Sequence, residues 1–287
     1  VIADGRAYGM QDGQSHFELG LAPRARPVAV AVLAGSDNRE AVRSGLREAI
    51  RRRCGLVVVH AASAFETWPA LGLMNEPLPE QVHRDAIELG RRALDDAVLA
   101  VELESPSVVE FWTRLYDGPV VPTLRSISRD AQLLVLAERA GRSHLWPRSV
   151  AHDLGRHSDC PVAVVPTAPR PWQDPRAPIV VGIDRIYDPT SALTSAFDVA
   201  QRKAVGVVAL HRGDAERALL REFQQRFPTV PTVWSCLRSH RRYQAAAIEE
   251  CSRAQLFVVP AGCMRGMAGR VVMNVVHQAR VPMVSVT

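Results

Sequence analysis

Gln255–Thr287, QLFVVPAGCMRGMAGRVVMNVVHQARVPMVSVT, reads as strand, glycine-containing loop, helix and strand. Leu256 to Val259 form a continuous apolar run, the pattern of a strand buried on both faces. Gly262, Gly266 and Gly269 follow, where a backbone bends tightly or lets a ligand come close. Val271 to His277 suits a helix, Pro282 blocks its continuation, and Met283 to Val286 form a closing strand. A strand that feeds a glycine loop and then a helix N-terminus presents backbone N–H groups on which a phosphate can sit. Gln132–Pro166 has a similar layout. The chain therefore reads as two copies of one unit, offset by roughly 150 residues, far beyond the period of a solenoid.

Working outward, residues 1–26 are a polar, irregular lead-in. In the first unit, 27–166, Val28 to Leu33 is the opening strand, and Asp37 caps a helix with Glu40 as its reciprocal partner. Ala41, Val42, Gly45, Leu46, Ala49 and Ile50 mark that helix's apolar face, and Gly55 ends it. Leu56 to His60 is the second strand. Val82 to Leu94 carries a second helical stripe, Val108 to Trp112 is the third strand, and Pro119 to Ile127 a short helix. Leu133 to Leu136, Arg148 to Arg156 and Val162 to Val165 complete the unit as strand, helix and strand.

Residues 167–177 lie in the five-proline stretch PTAPRPWQDPRAP and form a linker. The second unit, 178–287, repeats the first. Ile179 to Asp184 matches Val28 to Leu33, and Asp188 caps with Pro189 at the first helical position. Ala192, Leu193, Ala196, Phe197 and Ala200 repeat the first helix's spacing, and GVVALH at 206–211 echoes GLVVVH at 55–60. Ala215 to Phe227 is a helix, Thr232 to Cys236 a strand and Tyr243 to Cys251 a helix. Strands alternating with helices predict an α/β fold: two tandem Rossmann-like domains, each with a mainly parallel five-stranded sheet. Ligands of such sheets bind at the carboxyl ends of the strands, where the strand order reverses. In the second unit that places Asp184 beside the loop from Pro260 to Gly269.

Composition narrows the function classes. A length of 287 residues with 47% apolar content suits two cores. The N-terminal VIADGRAYGMQDGQSHFELG has neither a basic n-region nor an apolar h-region, and no apolar run reaches membrane-spanning length. The expectation is a cytoplasmic protein without a membrane partner. Cys54, Cys160, Cys236, Cys251 and Cys263 are scattered, with no CxxC pair, so packed thiols are expected rather than a metal site. The net charge of +5 comes almost wholly from arginine, Lys203 being the only lysine. Arg51 to Arg53 lie at a helix C-terminus, where cations offset the dipole. Aromatics do not interleave with arginines, so no nucleic-acid partner is expected. GxSxG, HExxH, GxxxxGK and GxGxxG are all absent, and Ala34-Gly35-Ser36-Asp37 lacks the paired glycines of a pyrophosphate-cleaving loop. No catalytic constellation is visible, and the expectation is no enzyme.

At IVVGIDRIYDPTSALTSAFDVA (179–200) and AQLFVVPAGCMRGMAGRVVMNVV (254–276) the chain resembles the universal stress protein family in its tandem form. In the first unit PVAVAVLAGSDNREAV and SDCPVAVVP carry the resemblance. It implies the adenine nucleotide alpha hydrolase-like fold and a role in stress response or dormancy. It also implies pairing of the two domains through their last strands and action through protein partners, while edge strands left unpaired favour a homodimer. The resemblance places Asp184 at the adenine-contacting aspartate. With Gly182, Gly262, Arg265, Gly266, Gly269 and Asn274, it makes a candidate site for ATP or AMP in the second unit. Against the family's G-x2-G-x9-G-(S/T), Pro260 and Cys263 stand at the first two glycines, and Met273-Asn274 at the last pair. The first unit has Ala137 and Ala140 at its glycines, Arg148-Ser149 at the end and Leu33 in place of the aspartate. Side chains at these points crowd a triphosphate away from the backbone. The combined reading is a non-enzymatic regulatory protein acting through protein contacts. Its alternative is a nucleotide sensor that binds through the second unit alone.

Overall fold

A computed structural model describes residues 25–62, 80–104, 109–138, 150–167, 174–183, 187–211, 213, 215–236 and 240–287. The chain divides into two compact units, Val1–Val150 and Ala151–Thr287. The first contains β1 (Val28–Ala31), α1 (Arg39–Arg52), β2 (Leu56–Ala62), α2 (Glu80–Glu104), β3 (Phe111–Asp117), α3 (Val120–Asp130) and β4 (Leu133–Ala137). Its pairings are all parallel: β1 lies between β2 and β4, and β3 lies outside β2. The next elements are α4 (Val150–His157) and β5 (Val162–Val165).

The same series then recurs. It runs β6 (Ile179–Gly182), α5 (Thr190–Lys203), β7 (Val207–His211), α6 (Ala215–Arg226), β8 (Thr232–Cys236), α7 (His240–Cys251), β9 (Leu256–Pro260), a 3₁₀ turn (Ala261–Met264), α8 (Gly266–Ala279) and β10 (Met283–Val286). β6 lies between β7 and β9, β8 outside β7 and β10 outside β9, all parallel. The order 8-7-6-9 thus repeats 3-2-1-4. In sequence β5 closes the first series and β10 the second. The two pair antiparallel, with Met283 opposite Val164 and Ser285 opposite Val162. That pairing is why residues 151–165 pack with the second unit. The fold is α/β and Rossmann-like, with the series written twice.

The apolar stripes explain the helices. Ala41, Val42, Gly45, Leu46 and Ala49 are buried on α1, whereas Ile50 is exposed. A Cβ on Gly45 would run into Val30 Cγ2, so glycine lets α1 sit close on β1. On α5 all five expected stripe residues are buried. Phe197 of that helix has ring centroids 5.6 Å from Phe223 and 5.4 Å from Phe227, the anchor of the second core.

Several boundaries differ from expectation. α2 continues to Glu104 because Ala97, Ala100 and Val101 extend the buried stripe. β3 starts at Phe111 rather than Val108, since its register with β2 pairs Leu56 with Phe111 through to Ala62 with Asp117. α1 ends before Gly55: Arg53 takes the left-handed cap at φ 53°, as Ala204 does after α5. Gly55 instead makes room for the Trp112 ring.

The capping box is absent. Asn38 is the N-cap residue, and its amide closes the β1–α1 loop, accepting from Leu33 N–H and donating to the Leu33 and Ser36 carbonyls. Asp37 accepts from the Arg39 N–H at 3.1 Å, while Glu40 pairs with Arg43. Asp188 repeats the device, accepting from the Thr190 N–H at 2.9 Å and its hydroxyl at 2.6 Å, with Pro189 as the N-cap residue. Hydrogen bonds from Arg39 and from Thr190, respectively, hold both carboxyls below their usual range. The α1 arginines are engaged too: Arg51 and Arg52 share Glu48, and Arg43 reaches Glu104.

His60 and His211, the echoed histidines, are both buried. His60 Nδ1–H donates to the Val32 carbonyl at 2.8 Å. Burial pushes its pKa down, and the Val32 bond opposes that only in part. With the folded pKa depressed, the neutral ring stabilises the fold above the unfolded value of about 6.5, and that stability is lost as pH falls through the folded value. A His60→Gln variant is therefore expected to lose less stability than wild type on acidification. Urea midpoints measured in steps from about pH 7.5 to about pH 5 check this. Parallel pH dependences of the two proteins would refute it.

Candidate functional site

The second unit's strand order reverses between β6 and β9. Val181 lies opposite Val258, so the two strands end side by side. Two segments leave this point: the chain after Gly182, and the turn after Pro260. Gly182 ends β6 beneath Tyr243 and Phe257; a Cβ there would lie 3.1 Å from Tyr243 Oη and 3.3 Å from the Phe257 ring. Asp184 lies outside the described residues, as do Ala140, Arg148 and Ser149 of the first unit's loop.

The turn after β9 is more ordered than a glycine loop. Ala261–Met264 is a 3₁₀ turn closed by the Arg265 N–H on the Gly262 carbonyl at 3.2 Å. α8 begins at Gly266 and not near Val271, so Gly269 already belongs to the helix, its N–H donating to the Arg265 carbonyl. Gly266 has φ 53°, a left-handed conformation that favours glycine, and a Cβ there would meet nothing within 4 Å. Arg265, the N-cap residue, is exposed beside it.

Gly262 and Gly269 have a different explanation. A Cβ on Gly262 would fall on the Tyr187 ring, 2.5 Å from Cγ and 2.8 Å from Tyr187 Cβ. On Gly269 it would fall on the His152 ring and 2.6 Å from the Met264 carbonyl oxygen. Gly155 of α4 likewise lies against Met264, and its carbonyl accepts from Ser285 Oγ at 3.1 Å. α4, the turn, α8 and β10 thus interlock through glycines facing side chains.

Asn274 stands in the second half of α8, where its Oδ1 accepts from Gln278 Nε2 at 3.0 Å. Its amide oxygen is engaged along the helix. Of the seven sequence-derived residues, the fold brings Gly182, Gly262, Arg265, Gly266 and Gly269 to the carboxyl ends of β6 and β9.

Sequence reasoning missed Tyr187, His152 and two buried polar residues. His211 ends β7 fully buried, with Nδ1–H donating to the Gly213 carbonyl and Nε2 without a partner. Glu216, in the first turn of α6, is buried with neither carboxylate oxygen hydrogen-bonded. The echo of GLVVVH in GVVALH was the signal for His211; nothing in the spacing flags Glu216.

Among the described residues no group of three or more His, Cys, Asp or Glu side chains could hold a metal. No described helix is long and apolar enough to cross a membrane. Cys160, Cys251 and Cys263 are buried, and burial raises the Cys54 pKa.

Comparison with known proteins agrees with this architecture. The sequence model of the universal stress protein family matches residues 25–166. Universal stress protein Rv2623 of Mycobacterium tuberculosis is 32% identical over 285 residues, 86% of this chain and 91% of that protein. Universal stress protein Rv2005c of the same organism is 32% identical, over 90% and 95% of the two chains. The crystal structure of a universal stress protein from Archaeoglobus fulgidus superimposes with a TM-score of 0.67 at 14% identity, covering 92% of this chain and 97% of that one. The chain belongs to the universal stress protein family.

Proposed function

We propose that this chain is a non-enzymatic, tandem universal stress protein that regulates through protein contacts rather than by binding nucleotide. We take its domains as 27–166 and 178–287, joined by the linker 167–177 after a lead-in of 1–26. The observation that carries the reading is the filling of the turn after β9. Tyr187 lies on Gly262 and His152 on Gly269, so the close approach those glycines permit is already used by the protein itself. Leu33 in place of an aspartate argues the same for the first unit. Edge strands favour association: β8 pairs with β7 alone among the described strands, and its Val233 is 61% exposed. A cytoplasmic homodimer with further protein partners is the form we assign.

One observation favours the nucleotide-sensor reading. Gly266 is open, and exposed Arg265 stands at the N-terminus of α8, where an anion is stabilised. Calorimetric titration of ATP and AMP, with mass analysis for co-purified nucleotide, separates the two. The expected result is no saturable heat and no retained nucleotide. Saturable binding near one site per chain, lost in Asp184→Ala, would overturn the nucleotide-free reading.

A further inference from the structure

Tyr187 follows β6 on the approach to α5, and its ring is applied to the backbone of the turn after β9. The contact involves the root of the side chain as well as the ring, because Tyr187 Cβ and Cγ both fall within 2.8 Å of where a Gly262 Cβ would be. Rotation about the outer bond cannot clear the turn; the ring leaves only if χ1 or the main chain changes. The main chain beside it is tied down, since Asp188 accepts both the N–H and the hydroxyl of Thr190 in the first turn of α5. The neighbouring Gly266, by contrast, has open space around its Cα. The turn is thus covered at Gly262 and uncovered at Gly266.

We infer that Tyr187 is the specificity-determining residue of the second unit, its ring standing where a phosphate-bearing ligand would have to meet the Gly262 turn. The inference rests on the nucleotide-free reading above and names the side chain that enforces it at Gly262. A phosphate bound by main-chain N–H groups must come within hydrogen-bond distance of the backbone. A ring in van der Waals contact with Gly262 takes that space. Removing the ring takes the aromatic face off Gly262, with a left-handed glycine at 266 and Arg265 at the helix start.

The test compares wild type with Tyr187→Ala and the milder Tyr187→Ser, both checked for folding by circular dichroism. ATP, AMP and inorganic triphosphate are titrated into each, the last separating phosphate recognition from base recognition. Hydrogen exchange of peptides spanning 261–266 is followed without ligand. The expected result is faster exchange of that peptide in the variants, with ATP or triphosphate binding at least about tenfold tighter than in wild type. Unchanged exchange would show that the ring does not cover the turn and would overturn the inference. Faster exchange without any gain in binding would overturn it too, while leaving the nucleotide-free reading intact. Saturable binding by wild type that weakens in Tyr187→Ala would make the ring a ligand contact, and both readings would fall.

Discussion

Phe197→Ala is expected to destabilise the second unit by about 4 kcal/mol, the range for truncating a fully buried phenylalanine. Phe197 has no solvent exposure and lies against two further rings, Phe223 and Phe227, which stack on each other with centroids 6.4 Å apart. The loss has two parts, the transfer energy of the ring and the cavity it leaves. Collapse into that cavity is hindered, because α5 sits on β6 through alanines: Ala192, Ala196 and Ala200 are all fully buried and offer no atoms that can swing in. Phe197→Leu should lose much less, about 1 kcal/mol, because a similar volume is refilled. Urea titration with a fluorescence probe for the second unit measures both. A loss below about 1 kcal/mol for the alanine variant would mean that the three rings do not form the anchor of this core.

The position of Phe197, though not of Phe223 or Phe227, was legible in the sequence. Phe197 falls on a stripe of period 3.6, and the same stripe at Ala41, Val42, Leu46 and Ala49 fixed the corresponding helix of the first unit. Strands buried on both faces stood out as apolar runs, Val162–Val165 in full and β2 from Leu56 to His60, two residues short of its end at Ala62. Edge strand β3 did not, because half-buried residues such as Arg114 and Tyr116 carry no clean alternation, and its start is set by pairing with β2. Caps were misread for a related reason. Asp37 and Glu40 have the spacing of a capping box, yet Arg39 and Arg43 are nearer partners for their carboxylates.

The candidate site was the least legible part. Glycine spacing says that the backbone needs room, but it cannot say whether a ligand or a side chain fills it. The side chains that do so here, Tyr187 and His152, lie 75 and 117 positions away in sequence from Gly262 and Gly269 respectively. Only the folded chain brings each pair together. Glu216 was invisible because a charged residue in a first helical turn normally faces water and favours the dipole there.

Gly269→Ala discriminates most sharply between the two meanings of that glycine, and it is expected to destabilise the ligand-free protein by about 2 to 3 kcal/mol. The methyl group would fall 2.6 Å from the Met264 carbonyl oxygen, a backbone atom that cannot rotate away, and onto the His152 ring. Relief requires α8 to lift from the turn or α4 to shift, and either movement disturbs the Gly155–Met264 contact and the Ser285 bond to Gly155. Gly266→Ala is the matched control. It meets no atom within 4 Å, so its cost is the left-handed backbone alone, about 1 kcal/mol. If Gly269 serves only to admit a phosphate, the order reverses: Gly269→Ala would melt like wild type without ligand, and Gly266→Ala would be the less stable of the two. Thermal and urea unfolding of both variants without nucleotide decides the matter, because a packing glycine shows its effect in the empty protein and a ligand-binding glycine does not.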